Sequence, residues 1–264
     1  VRYMGEPVAA VAADHPETCR RALAAIVVEY EVMAPLVDAE LAILPTTPPI
    51  HPDGNLIRHQ RIVHGDSNAS GDIVVEGNYT IGMQDQAFLG LEAAMAFPDP
   101  GAQGVELHIA TQWLHEDRGQ IAACLNLPED NVRLVLGGVG GAFGAREDIS
   151  LQVHCCLLAL RTGRPIKMQY SREESFFGHV HRHPATIWMR HHANKNGKIV
   201  KIEARMVFDG GAYTSTSPAV LINGITHTQG PYQCNNAVVD GYAVRTNNPP
   251  CGAMRGFGVV QACF

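Results

Sequence analysis

The strand-like run Val132-Arg133-Leu134-Val135-Leu136 leads into Gly137-Gly138-Val139-Gly140-Gly141-Ala142-Phe143-Gly144, and no other feature constrains this chain so strongly. Five glycines in eight residues remove Cβ atoms and bring bare backbone close to whatever lies opposite. Exposed N–H groups in such a loop bind anions or oxo groups. Two nucleotide loops fail on spacing. A dinucleotide fingerprint starting at Gly138-x-Gly140 needs glycine at 143, where Phe143 stands, and no βαβ unit with an acidic residue follows. A Walker A loop needs Gly-Lys-Ser/Thr, which is absent. Taken alone, the cluster reads equally as a glycine-rich packing turn.

A second glycine-bearing stretch is Pro249-Pro250-Cys251-Gly252-Ala253-Met254-Arg255-Gly256-Phe257-Gly258. Arginine beside glycines presents a fixed positive fork to an anion. By itself it also fits a surface loop arginine in an ion pair.

Together these segments resemble the molybdenum-binding part of the xanthine dehydrogenase and aldehyde oxidase family. The resemblance rests on Gly140-Gly141-Ala142-Phe143-Gly144-Ala145-Arg146-Glu147 and Arg255-Gly256-Phe257-Gly258. Thr111-Gln112, Arg182-His183-Pro184, Asp209-Gly210-Gly211-Ala212-Tyr213 and the opening Val1–Ala9 run add to it, in order along nearly the whole chain. It implies a molybdenum–molybdopterin cofactor, with iron–sulfur clusters and FAD on partner domains or subunits. It implies that Gln112 hydrogen-bonds an oxo ligand of molybdenum, and that Gly141, Phe143 and Gly144 lie against the pterin. Arg255 stands beside the metal, Phe257 stacks on a planar substrate, and Glu147 holds and polarises a heterocycle. No residue here is expected to ligate the metal directly. The implied reaction is hydroxylation of a purine or another N-heterocycle with water oxygen. Such chemistry needs a base, and donors for charge developing on a ring nitrogen or oxygen. Glu147, with a pKa raised in a closed pocket, fits that donor role.

The match has departures. Arg146 stands where the family commonly has lysine, and Ala142 and Ala145 where many members have glycine. An arginine that purine-oxidising members place about 32 residues before the Arg-Gly-Phe-Gly turn is missing; the corresponding residue is Asn223. The family's catalytic base is a glutamate far downstream that this chain does not reach, so the piece alone is expected to be inactive. The alternatives are an aldehyde-oxidising relative and a non-catalytic pterin-binding or scaffold module.

Composition agrees with part of a larger assembly. Of 264 residues, 46% are hydrophobic but only 17% charged, which leaves sparsely charged surface for a partner, the rest of the subunit or a second copy. A net charge of -6 argues against nucleic acid. No apolar run spans a bilayer. The seven cysteines lack a zinc-type pair, and with no leader visible a cytoplasmic, reduced protein is expected. Both ends read as cut.

The expected class is α+β. Residues 1–43 read as the end of a small α/β domain, 44–59 as a Pro-rich linker, and 60–264 as a first molybdopterin-binding domain. Strands are predicted at 6–11, 72–81, 104–111, 131–136, 165–170, 185–193, 198–209 and 236–246. Helices are predicted from Asp14, with Cys19, Ala22, Leu23, Ile26 and Val27 as its apolar face, and at 114–126 and 148–162. Alternating His179, His181 and His183 are read as structural rather than as a metal site, because no carboxylate or cysteine lies at ligand spacing.

Overall fold

A computed structural model describes residues 1–101 and 103–264. It divides into two compact units that exchange chain segments. The first holds Val1, Tyr3–Ala34 and Gln86–His179; the second holds Arg2, Pro35–Asp85 and Val180–Phe264. Both mix helix and sheet, as the α+β class requires.

The first unit is built on β3 (Ala93–Asp99), β4 (Gly104–Ile109), β5 (Val132–Leu136) and β6 (Ile166–Gln169), in the order β5-β4-β3-β6. β4 and β5 run parallel, joined by α3 (Leu114–Leu125); the other pairs are antiparallel. α4 (Gln152–Thr162) packs on β3, β4 and β6 through Cys155, Cys156 and Ala159, all fully buried. Small side chains on that face let helix and sheet approach closely. Leu107, Ile121 and Leu151 fill the same core. Each large apolar side chain buried this way contributes roughly 1.5–3 kcal/mol. Gly163 ends α4 in the left-handed conformation, as its sequence indicates.

The second unit is a five-stranded sheet of β1 (Leu56–His64), β2 (Ile73–Ile81), β7 (Ala185–Ala193), β8 (Ile199–Asp209) and β9 (Ala237–Val244), in the order β1-β9-β8-β7-β2. β8 and β9 are parallel, with α6 (Ser217–Thr226) in their crossover. Val220, Leu221 and Ile225 of α6 close over Ile187, Met206, Phe208 and Val239. α2 (Ala39–Ile43) packs Ala42 on Val207 and Val244, and α7 (Val259–Ala262) ends the chain beside α6.

Several expectations are corrected. Residues 6–11 form no strand, because Pro7 removes a donor and no neighbouring strand pairs with them among the described residues. α1 is Pro16–Ala24, capped by the His15 side chain rather than by Asp14, which reaches Arg164 instead at 3.1 Å. Its supposed apolar face buries nothing. β1 starts at Leu56, inside the tract read as linker. Other elements were not anticipated. β3 hides behind alanines and Pro98, which the sheet tolerates because Pro98 lies beyond the stretch paired with β6. α5 (Arg172–Gly178) starts from a Ser171–Glu174 capping box, and α6 starts from Ser217-Pro218.

Candidate functional site

The glycine loop belongs to the first unit. β5 keeps pace with β4 until the Gly137 N–H donates to the Ile109 carbonyl at 2.8 Å, and pairing stops there. Beyond it the N–H groups of residues 138–143 take no partner among the described residues, and residues 137–140 are exposed. The loop rests on the 88–90 segment. Gly90 donates to the Gly140 carbonyl at 3.0 Å, and a Cβ on either glycine would lie 3.0 Å from the other's Cα. Only glycine permits that approach. Arg146 is buried below, its guanidinium 4.6 Å from the Phe88 ring centroid and donating to the Gly90 carbonyl.

The loop ends in a strained corner. Phe143 has φ +52° and Gly144 φ +106°, and a 3-10 turn, Ala145–Glu147, follows. Gln112 holds this corner. Its backbone N–H donates to the Arg146 carbonyl at 2.9 Å, and its side-chain Oε1 accepts from the Gly144 N–H at 3.1 Å. With Oε1 engaged, the exposed amide NH2 is left as a pure donor. Glu147 is half-buried; burial first, then the Asp148 charge, pushes its carboxyl above the usual range. Glycine backbone, unpartnered N–H groups and a donor amide fit an acceptor-rich anionic group such as a molybdenum pterin. Thus Gln112, Gly141, Phe143, Gly144 and Glu147 are brought together in one corner.

Arg255 and Phe257 lie in the second unit. Their turn contains three consecutive left-handed residues, Gly256 (φ +93°), Phe257 (φ +45°) and Gly258 (φ +96°). The exposed Arg255 guanidinium has no partner among the described residues, while Phe257 half-packs on the α6 core. Arg182 donates from Nη2 to the Arg255 carbonyl at 2.9 Å and from Nε to Gln84 Oε1 at 2.9 Å. Asn223 Nδ2 donates to the Phe257 carbonyl at 2.6 Å. Neither contact is visible in sequence, where the Asn223 position was notable only for a missing arginine.

The alternating histidines are buried, and each has a polar partner. His179 Nδ1 lies 2.6 Å from Glu92 Oε1 in the first unit. In the second, His181 Nε2 lies 3.3 Å from Asp85 Oδ2, and His183 Nε2 is 2.8 Å from Ser217 Oγ. Their partners come from distant sequence, which spacing could not reveal. Burial, then the Arg182 charge, pushes His183 down to about 3.

Fold and loop chemistry define a module suited to holding an anionic, acceptor-rich cofactor. Residues 50–264 match the molybdopterin cofactor-binding domain family, and the chain belongs to that family, within the xanthine dehydrogenase group. It is 39% identical over 265 residues to the nicotinate dehydrogenase large molybdopterin subunit of Eubacterium barkeri, covering 99% of this chain and 62% of that one. It is 34% identical over 267 residues to a probable xanthine dehydrogenase subunit of Bacillus subtilis, covering 100% of this chain and 36% of that one. Among solved structures, the aldehyde oxidoreductase of Desulfovibrio gigas superposes with a TM-score of 0.89 at 25% identity, covering 95% of this chain and 28% of that one. Quinoline 2-oxidoreductase of Pseudomonas putida 86 gives 0.86 at 26%, covering 94% and 32%. The chain therefore spans less than two thirds of the relatives it matches. No helix among the described residues is long and apolar enough to cross a membrane.

Proposed function

We propose that this chain forms the first part of the molybdopterin-binding subunit of a molybdenum hydroxylase acting on a purine or another N-heterocycle. The observation that carries the reading is the run of unpartnered N–H groups at 138–143, framed by the donor amide of Gln112. Two relatives support a heterocycle, being named for nicotinate and quinoline. When bound, the cofactor would supply the electron acceptor for hydroxylation by water.

The chain's own residues would do the rest. The Gln112 amide would donate to the cofactor, and the backbone at Gly141, Phe143 and Gly144 would lie along it. Glu147, whose carboxyl favours its proton more than an ordinary glutamate does, would hold a proton toward a ring nitrogen. Arg255 would supply positive charge, and Phe257 a flat apolar wall. Electrons would leave through iron–sulfur and FAD partners.

The test is metal analysis and a substrate panel on the intact complex. Molybdenum, with heavy oxygen from labelled water entering a purine, pyridine carboxylate or quinoline, is the expected result. A correctly assembled complex without molybdenum overturns the reading. Turnover of aldehydes but no heterocycle replaces the substrate class.

A further inference from the structure

The two phenylalanine turns share one construction. In each, a left-handed phenylalanine is followed by a left-handed glycine that caps a helical turn: Phe143-Gly144 before Ala145–Glu147, and Phe257-Gly258 before α7. In each, a side-chain amide from a segment more than 30 residues away grips the Phe–Gly peptide. Gln112 Oε1 accepts from the N–H of the Phe143–Gly144 peptide at 3.1 Å. Asn223 Nδ2 donates to the C=O of the Phe257–Gly258 peptide at 2.6 Å. The grips act on opposite ends of equivalent peptide groups.

A peptide plane between left-handed residues can rotate, because glycine on one side tolerates either orientation. An L-residue at φ +45° is also strained, so such a turn relaxes unless its surroundings hold it. The second turn has local bonds from Phe257 N–H to the Met254 carbonyl (2.7 Å) and from Val259 N–H to the Gly256 carbonyl (2.9 Å). Neither fixes the Phe257 carbonyl. Asn223 does, from α6, the helix on which Phe257 half-rests.

We infer that Asn223 is a positioning residue: its amide locks the Phe257–Gly258 peptide and so sets how Phe257 and Arg255 are presented to substrate. The inference rests on the proposed function for its kinetic arm and on the hydrogen bond alone for its structural arm.

The experiment uses the intact complex carrying Asn223→Asp, Asn223→Ala and Asn223→Gln. The aspartate is nearly isosteric but turns an acceptor on the carbonyl; glutamine keeps the donor. Molybdenum content should stay at the wild-type level. KM should rise about tenfold in the aspartate and alanine variants with kcat within about twofold, and glutamine should recover part of the loss. Hydrogen exchange at the amides of residues 256–259 should quicken in the aspartate and alanine variants without spreading to β8 or β9. Active, metal-loaded variants with wild-type KM and unchanged exchange overturn the inference, as does equal loss in the glutamine variant. A wild-type complex without molybdenum instead overturns the functional reading, while the exchange result still decides the lock.

Discussion

Three glycine-to-alanine substitutions separate the two reasons a glycine is required here. Gly138 lacks a positive φ, and an added Cβ would meet nothing within 4 Å. Alanine there should change stability by no more than about 1 kcal/mol. Gly54 also has open space but sits at φ +91°, so alanine meets backbone strain alone, about 1–2 kcal/mol. Gly258 combines φ +96° with collision: the added Cβ would lie 2.2 Å from the Val220 carbonyl oxygen and 2.9 Å from the Gly224 nitrogen. Both atoms belong to α6 backbone, which cannot retreat without losing helix bonds or the packing on Phe208. The total for Gly258→Ala should reach about 3–5 kcal/mol. For a chain of this size that is a fall in melting temperature of about 10 °C, against a few degrees for Gly54→Ala and little for Gly138→Ala. Thermal unfolding of the three purified variants reads this order directly. If Gly258→Ala melts no lower than Gly54→Ala, the close seating of the Arg255 turn on α6 is wrong.

Two further outcomes follow from burial. His183 stays neutral in the fold down to about 3, while in the unfolded chain it titrates near 6.5. Between those values the unfolded state takes up the extra proton, so stability is lost as pH falls through this window, by up to about 1.4 kcal/mol per pH unit. His183→Gln should flatten that limb in urea melts; an unchanged acid limb refutes the assignment. In native protein a thiol reagent should modify the exposed Cys124 and Cys263 first. Cys155 and Cys156, pushed up to about 11 and about 12 by burial, should wait for unfolding. Mass spectrometry of labelled peptides checks this, and early labelling of Cys155 would contradict the packing of α4.

The legible parts of this chain were those whose pattern is local. β7 emerged with the limits expected of it, 185–193, and β5 stood out because it runs straight into glycine. α6 did not, because it is apolar on most sides and its Asn223 and Gly224 resemble loop residues. Gly224 is there because a Cβ would strike Phe208 at 2.8 Å, a tertiary reason with no local trace. The N-terminal helix misled for the opposite reason. Its spacing promises an amphipathic face, yet periodicity states only that a face exists, and nothing within the described residues covers it. For the site, the motif residues were visible, but what holds them was not. The partners Gln84, Asn223, Gly90 and Phe88 lie 34 or more residues from the groups they fix.

The backbone strain gives the two turns a meaning that packing alone does not. A tight corner is most readily made from glycine, and both turns already contain several. Placing phenylalanine at φ +52° and +45° costs about 1–2 kcal/mol at each, where glycine would avoid the strain. Burial does not offset that cost at Phe143, which is 50% exposed. Packing therefore does not account for the Phe143 ring, and the amides of Gln112 and Asn223 hold the two Phe–Gly peptides. Strain held by distant hydrogen bonds is pre-organisation: the turns are set before a ligand arrives, so binding need not supply the ordering.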